Sequence, residues 1–383
     1  MDPALNPYTP GSGLKPPSLQ GRDGEIEAFD LLVAKAKRRL YDRGMMLTGL
    51  RGVGKTALLN SLRANAEHHG WYTVQLEAQA SSSNSVVNYK QLANGLKAGL
   101  RRYSRKHQIT QLAGRLGELI EGSSISVAGV KINAPTPDES DVIGDLEELL
   151  DTVCEYARKS GTAVGLFVDE IQDLDPPLLA ALVMAQHRAN QEAWPFYVIG
   201  AGLPSVPAVL AEARSYSERL FLYRIIGPLS DNAAQRALSD PAESMGGRYT
   251  QVALTMLADA SEGYPYFLQE FGKAVWDAAP KAPFTEEDAR VALANGRAQL
   301  DQGFYPSRWD RTTPAERRYL RAIAATGEQS PKTSSLSISQ SAAGPVRASL
   351  IKKGIIYSPE RGRIGFTVPG MASFIERQPD DDD

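Results

Sequence analysis

The tightest constraint on this chain is an eight-residue run, Gly49-Leu50-Arg51-Gly52-Val53-Gly54-Lys55-Thr56. It meets the spacing G-x-x-x-x-G-K-[ST], with an apolar stretch, Met45-Met46-Leu47, before it and an amphipathic one, Ala57 to Ala66, after it. Glycines let successive backbone N–H groups turn inward, and a following helix directs the positive end of its dipole at the same point. The run is therefore an anion cradle that a strand must feed and a helix must leave, which commits the surrounding chain to β–α alternation.

The rest of the chain supports that alternation. Strands are expected at Trp71 to Leu76, Ala163 to Val168 and Phe196 to Gly200, and helices at Tyr89 to Glu121, Val142 to Arg158 and Pro177 to Gln191. Strands separated by helices form a parallel sheet covered on both faces. The run Ile125 to Ile132 alternates around Gly129 and predicts an inserted hairpin. Beyond Asp231 the strand signals stop and Ala-rich helical segments take over. The expected fold class is α/β: a P-loop sandwich, then a helical lid, then a winged helix-turn-helix. The expected domains are a Pro/Gly-rich lead (1–18), an α/β domain (19–230, hairpin insertion at about 123–134), the lid (231–304), the winged unit (305–378) and an acidic tail (379–383).

Composition excludes several classes. With 42 Lys and Arg against 45 Asp and Glu the net charge is -3, so any nucleic-acid contact must come from a local patch. The single cysteine, Cys154, permits neither a disulfide framework nor a cysteine-based zinc site within one chain. No stretch has the length and apolarity of a membrane span or signal peptide, so a cytoplasmic protein with no membrane partner is expected.

A phosphate cradle needs a second half. Val164-Gly165-Leu166-Phe167-Val168-Asp169-Glu170 is a buried strand delivering two carboxylates at its C-terminal end, where parallel sheets place ligands. The expected ligands are ATP and Mg2+. Lys55 reaches the β- and γ-phosphates, Thr56 and Asp169 hold the magnesium, and Glu170 deprotonates the attacking water. Gly49 through Thr56 and Ala57 form the cradle.

With these two segments and a helical domain after the sheet, the chain resembles the AAA+ superfamily, in particular the branch of origin-recognition and archaeal initiators and the related STAND signalling ATPases. The resemblance rests on Gly21-Arg22-Asp23, Gly49 to Thr56, Asp169-Glu170 and Gly263-Tyr264-Pro265. It implies that Gly21 and Arg22 line the adenine end and that Pro265 approaches the nucleotide from the lid. It also implies an arginine reaching a neighbour's γ-phosphate in a homo-oligomer or from a protein partner, with Arg219 the candidate and Arg214 and Arg224 its rivals. Two departures point to slow, switch-like turnover. The strand from Phe196 ends in Gly200-Ala201-Gly202 where the family carries a polar sensor, and Tyr266 stands where a lid arginine would.

From Ser307 to Gln378 there are twelve Lys and Arg against five acids. Helical patterns at Pro314 to Ala325, Thr333 to Ser339 and Pro345 to Lys353, then a hairpin across Ser358 to Gly362, predict a winged helix. If it binds DNA, Arg347, Lys352 and Lys353 on the recognition helix and Arg361 and Arg363 on the wing make the contacts, mostly to phosphate and with modest sequence preference. The helix from Tyr89 carries a further basic run, Arg101, Arg102, Arg105, Lys106 and His107. The reading is an ATP-dependent switch docking on DNA. The alternatives are a STAND-like signalling or scaffold ATPase whose winged helix grips protein, and a transposition or defence accessory assembling on DNA.

Overall fold

The computed structural model describes residues 1–11, 18–79, 86–107, 118, 121, 139–338 and 340–379. The expected hairpin at Ile125 to Ile132, residues 108–117, 119 and 120 of the helix predicted to run to Glu121, and the acidic tail beyond residue 379 lie outside these. The chain divides into two compact units: one holds Arg22–Gly49 and Lys55–Ile226, the other Met1–Gly21, Leu50–Gly54 and Gly227–Asp383.

The described residues of the first unit form a five-stranded parallel sheet. Its strands are β1 (Gly44–Thr48), β2 (Tyr72–Glu77), β3 (Val164–Asp169), β4 (Phe196–Gly202) and β5 (Phe221–Ile225), in the order β2-β3-β4-β1-β5. Around it run α1 (Asp23–Lys37), α2 (Lys55–His68), α3 (Val86–His107), α4 (Glu139–Ser160), α5 (Pro176–Gln191) and α6 (Val206–Ala213). The inner strands β1, β3 and β4 are buried at every residue, which is why they read as unbroken apolar runs, whereas edge strand β2 alternates. On one face Met46, Leu166, Val168 and Val198 pack with Leu149 and Val153 of α4 and Leu178 and Leu182 of α5. Elsewhere Trp71 stacks on Tyr197 with Phe29 tilted against it. Burial of each such side chain contributes roughly 2 kcal/mol. Register then aligns the strand ends: Glu77 lies opposite Asp169, Val168 opposite Gly200, and Thr48 opposite Gly202.

The second unit is helical with one small hairpin. Helices α7 (Asp231–Ser244), α8 (Gln251–Ala260), α9 (Pro265–Ala278) and α10 (Glu286–Gln299) bury Leu238, Leu257, Leu268, Phe271, Val275 and Trp276. Each start has a local cause: Ser230, Thr250 and Thr285 accept first-turn N–H groups, and Pro265 opens α9. The N-terminal lead is packed onto this body. Tyr8 is buried, donates to the Leu238 carbonyl and meets Tyr249 Oη at 2.6 Å, and its ring lies 2.5 Å from where a Cβ on Gly272 would stand.

The C-terminal part comprises α11 (Pro306–Trp309), α12 (Pro314–Ala324), α13 (Gln340–Lys352), β6 (Ile356–Tyr357), β7 (Gly365–Phe366) and α14 (Met371–Glu376), with β6 and β7 antiparallel. Two expectations are corrected here. Helix α13 begins at Gln340 rather than Pro345, so Pro345 sits inside it and the helix forgoes one internal hydrogen bond. The unit also ends in a helix rather than a hairpin: Gly370, at φ 74°, reverses the chain so that α14 stacks Phe374 on Tyr305, ring centroids 5.2 Å apart.

Candidate active site

In the first unit, Gly49 leaves β1 with its N–H on the Gly202 carbonyl at 3.1 Å, which anchors the loop base to β4. Lys55 and Thr56 open α2, and Ala57 follows in its first turn, where helix N–H groups lack intrahelical acceptors. Lys55 is buried at 7% exposure, a position a lysine tolerates only with compensating charge or hydrogen bonds. Asp169, equally buried at the end of β3, answers it electrostatically. Burial pushes the Asp169 carboxyl above its ordinary range. The Thr56 hydroxyl, which donates to it, the Glu170 N–H at 3.0 Å and the field of Lys55 all oppose that, while the Glu170 charge reinforces it. A carboxylate and a hydroxyl oxygen held together at a helix start form a hard-oxygen donor pair that fits a magnesium ion.

Glu170 follows at φ 48°, ψ 43°, the left-handed region that non-glycine residues enter at a cost of about 1 kcal/mol. Its Oε2 accepts from Gln172 Nε2 at 2.6 Å, and Gln172 Oε1 accepts the Leu203 N–H at 3.0 Å. The bare end of β4 has a steric reason. A Cβ on Gly200 would stand 2.6 Å from Met46 Sδ, and one on Gly202 would stand 2.3 Å from Gln172 Oε1. Of the glycines that remove an expected sensor, Gly200 thus makes room for Met46 and Gly202 for Gln172, which sequence reading passes over. Its only signal was a polar residue two places after the second acid.

Also in this unit, Arg22 is buried at the start of α1; burial lowers its pKa, and Glu25 opposes the shift. Arg219 is exposed in the turn Ser217–Arg219 before β5. Its two rivals are engaged: Arg224 donates to the Gly24 carbonyl at 2.9 Å and pairs with Glu25, and Arg214 bonds the Ala213 carbonyl.

In the second unit, the loop tip Leu50–Gly54 packs among lid residues. Gly52 and Gly54 take φ of 83° and 90°, which glycine adopts without strain. Gly52 O accepts the Tyr266 N–H at 3.4 Å, and Pro265 faces Gly54, with its Cγ 3.8 Å from a Cβ placed there. Val53 is fully buried, and Arg51 lies against Gly354. Gly21, at φ 67°, packs on Ala233 too closely for a side chain.

The basic candidates of the winged region divide. Arg347, Lys352 and Arg361 are exposed. Lys353 pairs at 2.6 Å with the buried Glu316, which also accepts from Ser349 and from the Thr313 N–H. Burial would raise the Glu316 pKa, but these hydrogen bonds hold it down at about 2. Arg363 donates to the Ser330 carbonyl at 2.6 Å.

Residues 18–199 match the family described as AAA ATPase domain, and residues 302–375 match one described as Domain of unknown function (DUF8462). Comparison with curated proteins finds no match. Among solved structures, the Walker-type ATPase of Pyrococcus abyssi is similar at 14% identity and a TM-score of 0.64, covering 94% of this chain and 96% of that one. The Aeropyrum pernix ORC1 protein, solved in complex with DNA, aligns at 15% identity and a TM-score of 0.49, covering 95% and 94%. Cdc6p of Pyrobaculum aerophilum aligns at 13% identity and 0.46, covering 98% and 97%. The domain match over residues 18–199, the five-stranded parallel sheet and the cradle loop give this part of the chain the fold of a P-loop ATPase domain, and a helical region with a small two-stranded hairpin follows it in sequence. Among the described residues no helix is long and apolar enough to cross a membrane.

Proposed function

We propose that the chain binds ATP with magnesium at Gly49 to Ala57, hydrolyses it slowly, and uses the nucleotide as a switch that controls docking of its winged unit on duplex DNA, in the manner of the origin-recognition and archaeal-initiator branch. One observation carries the chemistry: Thr56 is hydrogen-bonded to Asp169 beside the buried Lys55. In this reading Lys55 binds the β- and γ-phosphates and Thr56 and Asp169 hold the ion, which when bound offsets charge on the phosphate oxygens. Glu170 takes the water proton on Oε1 as the water oxygen bonds to the γ-phosphorus. The bond to the bridging oxygen breaks, with its electron pair leaving on ADP. Gly21, Arg22 and Pro265 belong to the nucleotide pocket, and Arg219 serves a neighbouring subunit. The domain limits are 19–230, 231–304 and 305–378, and the setting is cytoplasmic.

DNA docking draws on the local excess of positive charge and on the exposed Arg347, Lys352 and Arg361. A second reading, a STAND-like ATPase whose winged unit grips protein, is favoured by the engagement of Lys353 and Arg363 within the unit. Fluorescence anisotropy with a labelled duplex at low salt, with and without ATP, separates them. The DNA reading expects binding that weakens steeply with salt. No duplex affinity in either nucleotide state would leave the protein-binding reading.

A further inference from the structure

The Glu170–Gln172–Leu203 chain joins two strands at their carboxyl ends. The Leu203 backbone N–H is an obligatory donor, so it fixes which way the Gln172 amide faces: Oε1 toward Leu203 and Nε2 toward the Glu170 carboxylate. Gly202 is shaped to this arrangement, because a Cβ there would displace Gln172 Oε1. Glu170 is meanwhile held in a left-handed backbone conformation, with its own N–H on Asp169 Oδ1. A strained residue keeps one side-chain direction only if its surroundings determine it. Among the described residues, Gln172 is the group that does so for this carboxylate.

We infer that Gln172 is a positioning residue for ATP hydrolysis: it supplies from the turn after β3 the polar function that the glycine-ended β4 lacks, and it holds Glu170 Oε2 so that Oε1 faces the attacking water. The inference rests on the reading of Glu170 as the base. It also ties that base to the end of β4, so a shift of β4 relative to β3 moves the base out of line. This gives a physical route to a turnover rate that depends on the carboxyl ends of β3 and β4.

The test uses the full chain and the variants Gln172→Met, Gln172→Glu and Glu170→Gln. Gln172→Met fills the same space without a donor and guards against a folding defect. Its kcat should fall by on the order of tenfold or more, with ATP dissociation constant and melting temperature unchanged. Gln172→Glu replaces the amide donor by a group that repels the Glu170 carboxylate and should lower kcat at least as far, again with ATP affinity unchanged. Wild-type kcat in Gln172→Met, alongside an inactive Glu170→Gln, would overturn the positioning role and leave the base intact. Equal losses of ATP affinity and kcat would mark a collapsed site and also overturn it. Full activity in Glu170→Gln would remove the base reading, and the inference with it.

Discussion

The carboxyl end of the sheet and the winged unit treat charge in opposite ways. At the sheet end few charged groups are present, and Lys55, Asp169 and Glu170 are each set by the backbone element that carries them and by a neighbour within hydrogen-bond or Coulomb reach. In the winged unit positive residues are plentiful, yet Lys353 and Arg363 are tied to internal partners while Arg347, Lys352 and Arg361 stand in solvent. The number of charges is thus a poor guide to chemistry. What distinguishes a reaction site is burial combined with convergence.

The comparison can be broken first at its strong side. Lys55→Ala should weaken ATP binding by on the order of a thousandfold in isothermal titration, because a charge-assisted contact to polyphosphate is lost from a buried position. Nearly unchanged affinity would show that the sheet end does not hold the phosphates.

The next test probes charge as structure. Removing one partner of the Glu316–Lys353 pair by Lys353→Ala leaves a buried carboxylate short of a donor and should destabilise the winged unit by about 2 to 3 kcal/mol, read as a loss in denaturant midpoint. The same pair has an acid signature. The folded pKa of Glu316, about 2, lies below its ordinary 4.5, so its stabilisation is complete above about pH 5 and lost as pH falls through 2. The wild-type unit should lose on the order of 3 kcal/mol across that window, and Glu316→Gln should flatten the dependence. An unaltered acid profile in Glu316→Gln would assign the stability to other groups.

The smallest effects belong to the exposed charges. Arg361→Ala and Lys352→Ala should each reduce duplex affinity a few-fold and lower the salt slope by about one, uniformly across DNA sequences. Affinity that does not respond to either change would turn the winged unit toward a protein partner.

What the sequence made legible follows from the same contrast. The cradle, its flanking strand and helix, and the Asp169-Glu170 pair are each contiguous in the chain, so local pattern suffices to find them. Inner strands β3, up to its terminal Asp169, and β4 are apolar and read as strands, although β4 runs two residues further, through Ala201 and the Gly202 that packs against Gln172. Strand β5 gives no clear strand signal because its pattern is half-exposed, with Ile225 standing in solvent. Helix α14 was hidden behind Pro369-Gly370, a pair that reads as a stop and here acts as a reversal. Gln172 was unreadable for a different reason. Its partners, Glu170 and Leu203, come together only when β3 and β4 pair, and the glycine that admits it looked like a missing function.

The most direct measurement of the central claim compares Glu170→Gln with the wild type under single turnover, following bound ATP and released phosphate in the same sample. The account predicts that the variant binds ATP as tightly as the wild type and releases phosphate on the order of a hundredfold or more slowly. Phosphate release at the wild-type rate from the variant would contradict it.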